Sequence, residues 1–323
     1  MGPNRRARTG LALILTLATL SMAGGLALLL QARAGRLSRL ERAELEIERL
    51  RVAAAEAVRE ALWILASDEN LQVDHLGEDW ALPRETLRED GISTRAVVED
   101  AGRFHNWNNL SVAGRGSRTA EDIWLDVLTV CGDRDPVARI EALVDYMDSD
   151  DTGAHESFAY RRLDPPYEPP NRILWAPAEL LHVHGFSAEL LAPRPREALD
   201  DLFGGDLSAV AVVVPAGLDE PIPVNLLTAN RHVLLGLAGP QHESVVRELL
   251  VLREIDPTSA LERLAMARPE LAASLVGAAS ISSRYFRVRA RAALGHRHHE
   301  VLAWVLRDER GDVQILQWVE AGG

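Results

Sequence analysis

Between Glu141 and Glu168 the chain carries eight carboxylates: Glu141, Asp145, Asp148, Asp150, Asp151, Glu156, Asp164 and Glu168. Only Arg161 and Arg162 oppose them within that stretch. A loop this dense in oxygen donors suits a hard divalent cation, since calcium takes about six to eight oxygens. Gly153 supplies a residue that turns easily. The spacing is not that of an EF-hand, because the DxDxDG pattern and its terminal Glu are missing. From the residues alone two readings stand, a calcium loop and a solvated acidic loop.

Other groups with chemical potential are weaker. His296, His298 and His299 could hold a transition metal, but they fall beside Arg297 in what reads as a tight turn, so a solvated hairpin is the plainer reading. His182 and His184 point to different helix faces and read as structural. Cys131 follows an apolar helix and reads as a small buried hydrophobe. A single cysteine excludes an intramolecular disulfide, a CxxC pair and a multi-Cys zinc site. No GxSxG, HExxH, GxGxxG or P-loop is present. All 35 basic residues are Arg, which removes lysine chemistry. The chain therefore reads as a non-enzyme. With net charge -13 it also lacks the basic balance of a general nucleic-acid binder. ELLHVHGF from Glu179 and VNLLTANRHVLLGLAG from Val224 have the rhythm of helix-hairpin-helix modules, yet no basic cluster surrounds His182–Gly185.

The elements that position these groups start with the N-terminus. Arg5, Arg6 and Arg8 precede Gly10, and Leu11 to Leu30 holds no charge. That run is long enough for a helix to cross a hydrocarbon core of about 30 Å. The leading arginines predict a cytoplasmic N-terminus and an exported body. A removed signal peptide competes with a retained anchor. The continuation favours the anchor: Leu37, Leu40, Ala43, Ile47, Leu50, Ala54, Val58, Leu62 and Leu65 recur at helical spacing, so one helix runs on to about Ala66. A strand is expected from Arg95 into an Asn-rich turn, and helices over 121–132 and 137–148. Short helices are expected over 177–184 and 196–203. A Val-rich strand is expected over 208–214 and a strand or strand end over 223–228. Asn230 is the expected cap of a helix through Leu237, followed by helices over 242–253 and 258–265. Segments 285–293, 300–307 and 313–319 read as an antiparallel meander.

Several local patterns then coincide: Gly10 with its apolar helix, EDAGRFHNWNNL from Glu99, ALVDYMDSDDTGAHE from Ala142, PPYEPPNRILWAPAELLHVHGF from Pro165, PVNLLTANRHVLLGL from Pro223 and SSRYFRVRARAAL from Ser282. Their order and spacing resemble the type II secretion system protein K family, the large minor pseudopilin of the type IV pilin-like superfamily. The chain departs from the family at His105–Asn106–Trp107 and at Asn225–Leu226–Leu227. Type IV pilins carry Glu at the fifth mature position. Counted from Leu11 that position is Leu15, and protein K members characteristically lack the Glu.

The resemblance implies an α+β fold, a pilin-like long helix on an antiparallel sheet with a large all-helical domain inserted. The implied organisation is a leader (1–10), a transmembrane helix (11–30), a periplasmic helical spine (31–66), a first part of the pilin-like domain (67–110), an inserted helical domain (111–220) and the remainder with its meander (221–323). Prepilin peptidase would cut after Gly10 and N-methylate Leu11. The protein would sit in a bacterial inner membrane as a single-pass protein, N-terminus cytoplasmic and body periplasmic. It would cap the pseudopilus and help initiate its assembly with minor pseudopilins I and J and with H, upon the major pseudopilin. A minor pilin of a type IV pilus or competence system is the nearest alternative. The family's calcium sites favour calcium in the acidic loop, with Asp148, Asp150, Asp151 and Glu156 as ligands and Asp145, facing the preceding helix, as a further candidate.

Overall fold

The computed structural model describes residues 5–114, 117–193 and 206–322. Helix α1 runs unbroken over Arg5–Ala66, 62 residues, or about 93 Å at 1.5 Å per residue. From Ile14 its first half is exposed all round. It contains one window long and apolar enough to cross a membrane, none of it buried. The second half is amphipathic. Leu50, Ala53, Ala54, Ala57, Val58, Ala61 and Leu65 form its buried stripe.

Strands β1 (Arg84–Leu87) and β2 (Ser93–Asp100) form a hairpin. Much later in the chain come β7 (Tyr285–Leu294), β8 (Arg297–Arg307) and β9 (Val313–Gly322). The five make one antiparallel sheet in the order β1-β2-β7-β8-β9. Alternation along β7 buries Phe286, Val288, Ala290 and Ala292 while Arg289 and Arg291 face water. These apolar residues meet the α1 stripe together with Ala96, Val98, Val301, Ala303 and Val305. Alanine on both sides lets the helix axis approach the sheet closely, and Trp80 closes the end of this core edge-on against Phe286.

Between β2 and β7 lies the helical body. Its elements are β3 (His105–Asn106), α2 (Ala120–Val130), α3 (Pro136–Met147), α4 (Ser157–Tyr160), α5 (Ala188–Leu191), α6 (Leu207–Val210), β4 (Ala211–Val212), β5 (Val224–Asn225), α7 (Arg231–Ala238), α8 (Glu243–Ile255), α9 (Ala260–Ala267), α10 (Pro269–Ser274) and β6 (Ala279–Ser280). The caps explain several starts. Thr119 and Asp122 form a capping box on α2, Asp135 caps α3 ahead of Pro136, and Asn230 caps α7 as its sequence predicts. One core joins them, with Trp107 and Trp124 stacked at 3.6 Å and Leu143, Leu174, Val233, Leu234 and Leu235 around them. The helices sharing it reach Leu275, past the expected limit at 220.

Two expectations fail locally. The Val-rich 208–214 segment is strand only at Ala211–Val212, where β4 pairs with β3. Asp206 accepts from Ser208 N at 2.9 Å and Oγ at 2.8 Å, which starts the single turn α6 instead. Val213 and Val214 then enter two different cores, so their apolar character reflects burial on all sides. His298 and His299 are not in the turn either. The turn is Gly295–His296, and β8 already includes both. The helix expected over 196–203 lies within 194–205, outside the described residues.

The body leaves and rejoins the sheet at one end of α1. Asp100 pairs in register with Phe286, where β2 ends and β7 begins. Arg307, next to this point, bonds Asp68 at 2.8 Å and Asp74 at 2.6 Å, just beyond the last turn of α1. At the opposite end of the strands the β7–β8 turn lies beside Glu46, which Arg297 contacts at 2.7 Å. The body therefore sits at the end of the spine farthest from the apolar run.

Candidate metal centre

The acidic loop is held between two anchored elements. Helix α3 buries Ile140, Leu143, Tyr146 and Met147. Asp148 is its C-cap, leaving the loop at the negative end of the helix dipole, which favours a cation. Glu156 precedes α4, whose Tyr160 is buried against Tyr146 and Tyr167. Glu156 occupies an N-cap position but makes no side-chain capping bond.

Asp148, Asp150 and Glu156 converge, with one oxygen from each lying within 4.8 Å of the others. Asp148 Oδ1 and both Glu156 carboxylate oxygens are buried with no hydrogen-bond partner. Glu156 is 1% exposed. Asp150 accepts from Thr152 N at 2.7 Å, which fixes the turn. Burial, then the neighbouring carboxylates, raises the pKa of both Asp148 and Glu156 above the ordinary range. Buried carboxylate oxygens without donors are costly unless a cation or proton satisfies them. The donor set is all oxygen, which matches calcium or magnesium chemistry and offers nothing to a soft metal.

Asp145 and Asp151 stand apart from this trio. Asp145 is buried and its Oδ2 accepts from His155 N at 2.7 Å, so it braces the loop from below. A Cβ on Gly153 would overlap that carboxylate, which explains the glycine. Asp151 is exposed and outside the cluster, though close enough to raise Glu156. His155 and His184 stack at 4.3 Å on the flank of the loop. Cys131 is buried at the end of α2. His299 is buried with Glu320 at 3.4 Å, and His298 is 4.0 Å from Glu300. Among the described residues the histidines join no cluster of three ligands. Gly10 and Leu11 both lie within α1.

The reading of single residues missed a buried polar knot where sheet and helical body join. Asp100 accepts from Gly102 N at 2.7 Å, Asn225 Nδ2 at 3.0 Å and Thr228 Oγ1 at 2.5 Å. Asn225 Nδ2 also reaches the Asp74 carbonyl at 3.0 Å. Asp74, Asp68 and Glu78 form a second carboxylate group, but the Arg307 guanidinium already bonds two of its members. Three asparagines act as surrogate backbone. Asn106 accepts from Val214 N, Asn108 exchanges bonds with Leu174 N and O, and Asn109 does so with Ile222 N and O. The signal was the density of Asp and Asn in the quoted motifs, since a buried amide persists only when paired.

Residues 102–193 match the family model for the type II secretion system (T2SS) protein K. The stretch includes α2, α3 and the whole acidic loop. No curated protein matches the chain. Among solved structures it is similar to one described as the crystal structure of the GspK-GspI-GspJ complex from the enterotoxigenic Escherichia coli type 2 secretion system. That match has 20% identity and a TM-score of 0.70, and covers 87% of this chain and 98% of the other. At that coverage and TM-score the likeness shows a shared fold.

Proposed function

We propose that this chain, a type II secretion protein K minor pseudopilin by its 102–193 segment and its fold, caps the tip of a periplasmic pseudopilus and helps start its assembly. The observation that carries the reading is the placement of the helical body at the end of α1 farthest from the apolar run. Pilin-like subunits stack head to tail with their helices in the filament core. A body over that far end leaves no room for a subunit above. Leu15 agrees. A Glu at that place is costly in lipid and is useful only if it finds a subunit ahead, and a capping subunit has none.

The apolar part of α1 anchors the chain in the inner membrane, N-terminus inside, and prepilin peptidase cuts between Gly10 and Leu11, leaving that apolar helix on the mature chain. The partners are minor pseudopilins I and J, the pair named in the matching complex, then H and the major pseudopilin. Asp148, Asp150 and Glu156 bind calcium and tie α3 to α4, with Asp145 as bracing residue and Asp151 on the rim. Full-length chain co-expressed with the I and J pseudopilins of the same operon should purify as a 1:1:1 complex, and Gly10→Leu should block leader removal. Recovery of the chain without either partner, or normal processing of the variant, would refute the reading.

A further inference from the structure

The first turns of α1 beyond the apolar run carry Arg33, Arg36 and Arg39 and no acid; the first carboxylate is Glu41. Successive steps of three residues turn a helix by about -60°, so the three arginines share a sector of about 120°. All three are exposed. Among the described residues none pairs with a carboxylate. Farther along the same helix, Arg49 contacts Asp90 at 3.1 Å and Arg51 contacts Glu48 at 3.0 Å.

Height matters as much as charge. Arg33 and Arg36 start about 4.5 and about 9 Å beyond Leu30 along the axis. The headgroup layer occupies about 5–7 Å on each side of the hydrocarbon. Side chains on a helix lean toward its N-terminus, which here is toward the apolar run. Arg39 shows this directly: its Nε donates to the Gly35 carbonyl at 3.1 Å, one turn back. That brings its guanidinium to about 8 Å beyond Leu30. A Cβ on Gly35 would meet nothing within 4 Å, so this stretch packs against no other part of the chain.

We infer that Arg33, Arg36 and Arg39 form a binding surface for the phosphates of anionic phospholipids in the leaflet where the apolar run of α1 emerges. The inference rests on the membrane-anchor reading above. Guanidinium forks bind phosphate oxygens in pairs, and each arginine at an anionic surface raises local lipid preference by about fivefold. The stripe would hold the anchor at a set depth before the subunit enters a filament.

The test uses full-length chain reconstituted in vesicles of equal phosphatidylglycerol and phosphatidylcholine. After extraction in mild detergent, lipids retained on the protein are counted by mass spectrometry. The wild type should hold phosphatidylglycerol at least about fivefold over phosphatidylcholine. R33Q/R36Q/R39Q should bring that ratio to within about twofold of the bulk. R59Q, a control about 43 Å beyond Leu30, should leave it unchanged. At 1 M salt, where the Debye length is about 3 Å, the wild-type preference should collapse. Equal ratios in wild type and triple variant would overturn the lipid site. Recovery of both chains away from the vesicles in an alkaline wash would overturn the anchor itself, and the lipid site with it.

Discussion

Glu156→Gln separates a cation site from a merely acidic loop, because the two predict opposite signs. Glu156 faces two carboxylates with oxygens inside 4.8 Å. At that distance a pair of unit charges repels by about 0.9 kcal/mol in water and about 3.5 kcal/mol at an effective dielectric of 20. The raised pKa values of Asp148 and Glu156 mean that protonation relieves part of this in the metal-free protein. A gain of about 1–2 kcal/mol from removing the charge is therefore the reasonable expectation. Gln keeps the shape and adds an N–H donor for Asp148 Oδ1, which has no partner. In EDTA the variant should melt about 2–8 °C above the wild type. With calcium the order reverses. Ligand at about a hundredfold over its Kd contributes about 2.7 kcal/mol to the wild type, or about 5–10 °C, and the variant should lose most of that response. The assay is thermal unfolding of the full-length chain in detergent, in EDTA and in calcium. A solvated loop predicts changes within about 0.5 kcal/mol in both. A variant less stable than wild type in EDTA, or one that keeps the calcium response, would refute the argument.

Three further outcomes follow from packing and burial. Burial lifts Asp74 to about 7 and raises Asp100 too, against the pull of Arg307 on Asp74 and of the Thr228, Ser283 and Asn225 hydrogen bonds on Asp100. Folded protein then binds more protons than unfolded chain between the ordinary carboxylate range and about 7, so stability in EDTA should fall as pH rises from 5 to 8. Denaturant titrations should show that slope, and a flatter one in Asp100→Asn. Trp124→Ala removes a ring stacked at 3.6 Å on Trp107 and should cost about 3–5 kcal/mol in the same titration. Gly236→Ala places a Cβ 2.5 Å from Val127 Cγ2 and 3.1 Å from its Cα, where α7 crosses α2. Such overpacking should cost about 1–3 kcal/mol, against a gain for Gly→Ala in an open helix.

The spine, the meander and most helices were legible because their signals are periodic and local. The α1 stripe repeats at helical spacing, β7 alternates, and Asn230 sits one residue before α7. What was not legible depends on partners distant in sequence. The 208–214 segment reads as strand because valine favours strands, but the two cores that bury Val213 and Val214 are assembled from residues far along the chain. The limit of the helical body was expected at 220, before the strand end over 223–228, whereas α7 belongs with α2 through the close approach at Gly236. In the acidic loop, density of carboxylates marks a stretch of chain and not which of its side chains meet. Asp148, Asp150 and Glu156 then converge, while Asp151 turns outward and Asp145 is spent on His155 N. Adjacent residues in a turn point in different directions, and no count of charges says which.

The polar knot bears on how a bulky insertion can work at a filament tip. The body joins the sheet by two chain crossings, after Asp100 and before Tyr285, and two crossings alone would form a hinge. Asp74, Asp100, Asn225, Thr228, Ser283 and Arg307 are all buried there and bonded across the crossing. Buried and satisfied, such a network specifies one arrangement, since a half-broken one leaves charge without a partner in low dielectric. The body is therefore fixed over the end of α1 by direct contacts to the segment just beyond its last turn. On the proposed reading this rigidity is what a cap needs. A body swinging on a hinge would expose the spine end to another subunit part of the time, whereas one tied through Asn225 and Ser283 to Asp74, and through Asn225 and Thr228 to Asp100, keeps it covered.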